Sequence, residues 1–86
     1  MPTISVFYGI VIRMFFNDHA PPHFHAEYGG NKAEIAIETL EILAGSLPRR
    51  ALALVVEWAA LHRAELREGW ERCRQHQQPG TIALLA

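Results

Sequence analysis

A chain of 86 residues holds one domain, because so short a polypeptide cannot enclose two hydrophobic cores. Half of its residues are apolar, which excludes a disordered composition, and a net charge of −1 excludes a global field that would draw it to nucleic acid or acidic lipid. Cys73 is the single cysteine, so neither an internal disulfide nor a Cys-x-x-Cys metal site is open to it.

Residues 3–16 are rich in β-branched and aromatic side chains and predict two strands, with Gly9 marking the bend between a short first and a longer second. In the second strand Ile10, Ile12, Met14 and Phe16 share one apolar face, while Val11, Arg13 and Phe15 take the other. Asn17–Ala20 followed by Pro21-Pro22 predicts a stiff turn, since each proline fixes φ and pushes the residue before it to extended geometry. The chain then returns as a strand from His23 to Tyr28. Phe24, Ala26 and Tyr28 point to the core; His23, His25 and Glu27 point outward.

Gly29-Gly30-Asn31-Lys32 is a turn signal, and Ala33, Ile35 and Ile37 of the next strand face inward between outward glutamates. A short strand, Glu41 to Ala44, closes the meander, and Gly45-Ser46 ends it. From Leu47 onward Leu52, Val55, Val56, Ala59, His62, Leu66, Trp70 and Cys73 follow helical spacing, with Ser46 or Leu47 as N-cap and Pro48 in the first turn. Leu54, Trp58 and Leu61 add a second apolar strip, which calls either for fuller wrapping of the helix or for a partner chain. A straight helix from Pro48 to Gln77 would be roughly 45 Å long at ~1.5 Å per residue, long for so small a sheet, and Gly69 is the expected point of bending. Pro79-Gly80 stops it, and Thr81 to Leu85 forms a last strand or packs on a partner.

The expected fold is therefore α+β: an antiparallel sheet of four or five strands in a meander, with one long C-terminal helix packed on one face. Residues 1–46 form the meander, 47–78 the helix and 79–86 a tail or short strand, all in one domain. With no secretory signal or membrane-spanning run, the expected compartment is the cytoplasm and no membrane contact is expected. Two cations against five carboxylates over residues 1–48, and six arginines interleaved with four glutamates over 49–86, read as ordinary solvated faces.

The stretch Asp18–Tyr28 concentrates the titratable side chains, and three readings of it compete. In the first, His23 and His25, two residues apart on one strand face, hold a divalent transition metal such as zinc, with His19 from the loop as third ligand. Glu27 stands about 13 Å from His23 at ~3.3 Å per residue, too far to join them, and belongs with Glu34 on the neighbouring surface. In the second, no cofactor is needed: His23 and His25 act as acid and base, Tyr28 or His19 assists, and Arg13 or Lys32 clamps a phosphate, the kit of a metal-independent ribonuclease. In the third the histidines are structural and Asp18 caps the turn.

Pro2-Thr3-Ile4-Ser5, Phe7-Tyr8-Gly9-Ile10, Asp18-His19 with Pro21-Pro22-His23-Phe24-His25, and Leu47-Pro48 resemble a small bacterial family catalogued as domain of unknown function 4160. The likeness covers residues 2 to about 75. Leu40 departs from the pattern, since relatives tend to carry glycine there, and so does the segment Cys73 to Gln78. The resemblance implies a short stand-alone protein whose gene lies beside that of another small protein, as in a toxin–antitoxin pair. The expected function on that basis is binding of the cognate small protein or of nucleic acid through the histidine-bearing face. Metal binding through His19, His23 and His25 is the alternative, and a homodimer joined through the long helix, as a non-catalytic structural module, is the third.

Overall fold

The computed structural model describes residues 2–86; Met1, the first residue of the expected domain, lies outside them. Five strands follow one another in space as they do in sequence, β1 (Thr3–Phe7), β2 (Ile10–Arg13), β3 (His23–Tyr28), β4 (Asn31–Ala36) and β5 (Ile42–Gly45), each antiparallel to the next. Alternation decides the faces. Ile10, Ile12, Phe24, Ala26, Ala33 and Ile35 are fully or almost fully buried on the inner side, each large one contributing about 1.5–3 kcal/mol. Phe16 departs from the expected pattern: β2 ends at Arg13, and Phe16 lies outside the strand, 37% exposed.

Instead of one long helix there are two, α1 (Arg49–Leu61) and α2 (Arg63–Arg74), broken at His62, whose φ of −124° leaves the helical region. The physical reason is size. The molecule measures 33 Å along its longest axis, so a straight helix of about 45 Å would leave its last turns without a surface to cover. Breaking at His62 lets α2 turn across the ends of the strands. There Arg63 Nε donates to the carbonyl of Ile37 at 3.1 Å, Arg67 grips Glu38 with two hydrogen bonds of 2.6 and 2.8 Å, and the backbone N–H of Asn17 donates to the carbonyl of Cys73. Leu66, Trp70 and Cys73 are buried as a result. Gly69, the expected bend, instead provides close approach: a Cβ there would lie 3.1 Å from Met14 Sδ and 3.3 Å from Pro79. The cap also differs by a residue, with Pro48 at the N-cap and Arg49 as the first helical residue.

α1 covers the inner face through Trp58, whose ring lies 5.3 Å from that of Phe7 and 5.9 Å from that of Phe24. Trp58 belongs to the second apolar strip, and the chain wraps it itself. The segment after Pro79 forms no strand; it runs back along β1, with Ile82 N–H donating to the carbonyl of Ile4 and Trp58 Nε1–H donating to that of Ala83 at 2.8 Å. Ile82 and Leu85 are buried there, while Leu61, from the same strip, stays 68% exposed. Leu40, where the sequence departs from its relatives, sits at φ +62°, a conformation glycine adopts without steric penalty. Among the described residues no helix is long and apolar enough to cross a membrane.

The candidate histidine–carboxylate centre

β3 begins immediately after Pro22, so His23 and His25 stand two residues apart at the end of the sheet that α2 closes. Both project from the face opposite Phe24 and Ala26. His25 lies at the rim, with the ring of Phe15 edge-on at 4.3 Å. His23 is sealed in: its side chain has no exposed surface, and the Trp70 ring of α2 packs 5.2 Å away. His19, on the proline-stiffened loop, hangs over the pair with its ring 4.9 Å from that of His23 and its side chain 68% exposed.

Two carboxylates complete the group. Asp18 Oδ2 lies 2.9 Å from His25 Nε2 and 3.1 Å from His23 Nε2, while its Oδ1 accepts from the backbone N–H of His19 at 2.8 Å. Glu34 Oε1 lies 3.4 Å from His19 Nε2 and 3.6 Å from His23 Nε2. Two overlapping sets of three result, Asp18–His23–His25 and His19–His23–Glu34, each with its ligand-type atoms within 4.8 Å of one another. His23 is common to both.

The orientation of the His23 ring follows from its neighbours. Nδ1 stands 2.7 Å from the carbonyl oxygen of Pro21, which can only accept, so Nδ1 donates to it. The ring's Nε2 is buried and makes no hydrogen bond, although a carboxylate oxygen is 3.1 Å away. An orphaned buried polar atom costs about 1–3 kcal/mol. Burial pushes the Asp18 carboxyl up. The hydrogen bonds from His25 and from the His19 backbone, with the charge of His23 and His25, outweigh it and hold Asp18 below its ordinary value, favouring the anion.

The other expected site residues lie elsewhere. Arg13 faces His25 across β2 and β3 in register, but its guanidinium is paired with Glu27. Tyr28 projects from the opposite side of β3, at its far end, with its ring over Gly9. Glu27 and Glu34, expected on one surface, are separated: Glu27 joins Arg13 and Glu34 joins the histidines. The sequence did carry a signal for Glu34. A tight Gly29-Gly30 turn pairs Tyr28 with Asn31 and thereby His25 with Glu34, whereas a turn running to Lys32 misplaces the register and hides the pairing. For Asp18 no periodicity points to the site, since its position depends on the path of the loop.

The fold and site define a five-stranded antiparallel meander closed by a helix pair, carrying a half-buried centre of three imidazoles and two carboxylates at one end. The family model described as "Domain of unknown function (DUF4160)" matches residues 9–71, and the chain belongs to that family. No curated protein and no solved structure matches it.

Proposed function

We propose that the protein binds a divalent transition-metal ion at His23, which two overlapping ligand sets share, Asp18–His23–His25 and His19–His23–Glu34. The observation that carries this reading is the buried, unpartnered Nε2 of His23, aimed between two carboxylates. Spacing supports it. Ligands about 2.1 Å from one ion stand about 3.0 Å apart along an octahedral edge and about 3.4 Å apart in a tetrahedron. The four closest contacts between imidazole Nε2 and carboxylate oxygen atoms are 2.9, 3.1, 3.4 and 3.6 Å. The carbonyl of Pro21 orients His23 as outer-shell acceptors orient metal-bound imidazoles. A donor set of nitrogen and oxygen without sulfur suits zinc, nickel, iron or manganese rather than a soft ion. Asp18–His23–His25 is the fixed set; in the other, the exposed His19 is the ligand that can leave.

The metal-independent acid–base reading has less support, because a base at His23 has no access to substrate and Arg13 and Tyr28 do not converge on the histidines. The toxin–antitoxin reading, with a cognate small protein or nucleic acid as partner, rests on family likeness alone, as the homodimer rests on a strip that the chain partly covers itself. Metal analysis of tag-free protein purified without chelator tests the proposal. About one ion per chain is expected, lost in His25→Ala where Asp18–His23–His25 holds it or in Glu34→Gln where His19–His23–Glu34 does, and kept in Glu27→Gln, whose carboxylate lies outside both sets. No bound ion, and no rise in melting temperature with added zinc, nickel or manganese, refutes it.

A further inference from the structure

At the end of the sheet away from the histidines lies a pocket of about 470 Å³, to which the strands and their hairpin contribute Tyr8, Ile10 and Tyr28, and α1 contributes Arg50, Ala51 and Leu54. Tyr28 stands five residues along β3 from His23, about 16 Å at ~3.3 Å per residue, so this place is separate from the ion centre and does not depend on it. Ile10 and Ala51 are buried and Leu54 is half-buried, which makes that part of the lining apolar. Tyr8 is held there against its conformational preference. Phe7 pairs with Ile10, so Tyr8 and Gly9 form a two-residue hairpin loop, with φ of +51° and +79°. Asparagine, aspartate or glycine fills the first position of such a loop without strain, and a bulky aromatic side chain there is an outlier. Burial does not offset the strain, since Tyr8 stays 59% exposed; what the position gives the side chain is a place on the pocket wall.

Arg50 is the one charged residue of the lining. Arg13, Arg67, Arg72 and Arg74 are ion-paired and Arg63 donates to the carbonyl of Ile37, but among the described residues Arg50 has no such partner, and the first turn of α1 holds no acidic residue. An arginine that lines a wall and is tethered to nothing is free to bring its guanidinium to a ligand lying on that wall. We infer that the pocket binds a small monocarboxylic acid with an apolar, ring-sized body, the body lying against Tyr8, Tyr28, Ile10 and Leu54 and the carboxylate pairing with Arg50. A concave, mainly apolar lining with one charge is the pattern of a small-molecule site. The planar guanidinium fork matches a carboxylate in two parallel hydrogen bonds. No carboxylate lines the pocket, so an amine finds no counter-charge there. Size agrees, since the pocket holds roughly sixteen water volumes at ~30 Å³ each, room for a body of one or two rings.

Titration of full-length ¹⁵N-labelled protein with phenylacetate provides the test, with phenylacetamide as a neutral analogue of the same size. Phenylacetate is expected to shift the amide signals of Gly9, Arg50 and Ala51 and to leave those of His23 and His25 in place. Phenylacetamide is expected to bind about tenfold more weakly, near the lower end of what a hydrogen bond to a charged group contributes. Arg50→Gln should weaken phenylacetate by the same factor and leave phenylacetamide unchanged. Tyr8→Asn removes the ring but suits the turn, so it should weaken both ligands in a protein that melts no lower than the wild type. No movement of the three pocket amides, equal affinity for acid and amide, or indifference to Arg50→Gln or to Tyr8→Asn overturns the inference. So does movement of the same amides when ligand-free protein is concentrated, which would give the pocket to a second copy of the chain.

Discussion

Replacing Gly45 by alanine places a side chain where the fold has no room for one. Gly45 sits at φ +77°, and a Cβ there would meet the carbonyl oxygen of Lys32 at 2.1 Å and the Cα of Ala33 at 3.2 Å. The same carbonyl accepts from Ser46 N–H at 3.0 Å, so the contact cannot be relieved without pulling the end of β5 from β4. Left-handed geometry costs an L-residue about 1–2 kcal/mol, and losing the hydrogen bond adds about 0.5–1.5 kcal/mol. With some loss of strand pairing the total comes to about 3 kcal/mol. Gly29→Ala is the matched control, because Gly29 has φ +60° but nothing within 4 Å of its would-be Cβ, so only the conformational cost of about 1 kcal/mol applies. Urea denaturation with a common slope should separate the two variants by about 2 kcal/mol, which for a domain of this size is roughly 8–16 °C in melting temperature. Equal destabilisation of the two, within ~0.5 kcal/mol, would show that β5 slides freely on β4 and would refute the argument.

Trp58→Phe removes the N–H that holds the carbonyl of Ala83 and leaves part of a fully buried volume unfilled; a loss of about 2–3 kcal/mol is expected on thermal or urea unfolding, and a loss below ~0.5 kcal/mol would mean the C-terminal segment is held by other contacts. Burial, and next the negative charge of Asp18, push the Cys73 thiol up, so at pH 8 a thiol reagent should label native protein at least about tenfold more slowly than urea-unfolded protein; equal rates would place Cys73 at the surface. The hydrogen bond from Arg67, with its charge, lowers Glu38 below its ordinary 4.5. A depressed carboxyl stabilises the fold above its unfolded pKa, and that contribution is lost as pH falls through the folded value. Glu38→Gln should therefore lower the melting temperature at pH 7 and lose its effect well below pH 4; a difference that persists there would remove the ion pair as its cause.

Period-two alternation placed Ile10, Ile12, Phe24, Ala26, Ala33 and Ile35 inward from the residues alone, whereas Tyr28, expected inward, is 39% exposed at the end of β3 and His23, expected outward, is buried under Trp70. Such alternation survives tertiary folding because one face of an antiparallel sheet must be buried. The helix break did not show in the sequence, since neither glycine nor proline stands at His62; what breaks it is the end of the sheet and the grip of Arg63 and Arg67 on Ile37 and Glu38, contacts 26 and 29 residues away. Glu34 lay one turn assignment out of reach. Asp18 entered the centre through the course of a loop, which no pattern of hydrophobicity describes.

The centre runs against the pattern of β2, β3 and β4, whose inward positions are apolar. Local conflict of that kind is expected where function demands it. A chain of this length has a net stability of roughly 4–13 kcal/mol at about 0.05–0.15 kcal/mol per residue, so an orphaned imidazole nitrogen costing about 1–3 kcal/mol consumes a sizeable part of it. The surroundings hold the conflict in place: Trp70 seals one side of His23, the Pro21 carbonyl fixes its ring, and Phe24 and Ala26 anchor β3 to the core between the outward residues. The His23 imidazole therefore cannot swing away to find a partner in water. On the metal reading, a rigid frame that keeps an unpartnered nitrogen beside two carboxylates suits a cation, and an ion taking that nitrogen would supply the partner it lacks.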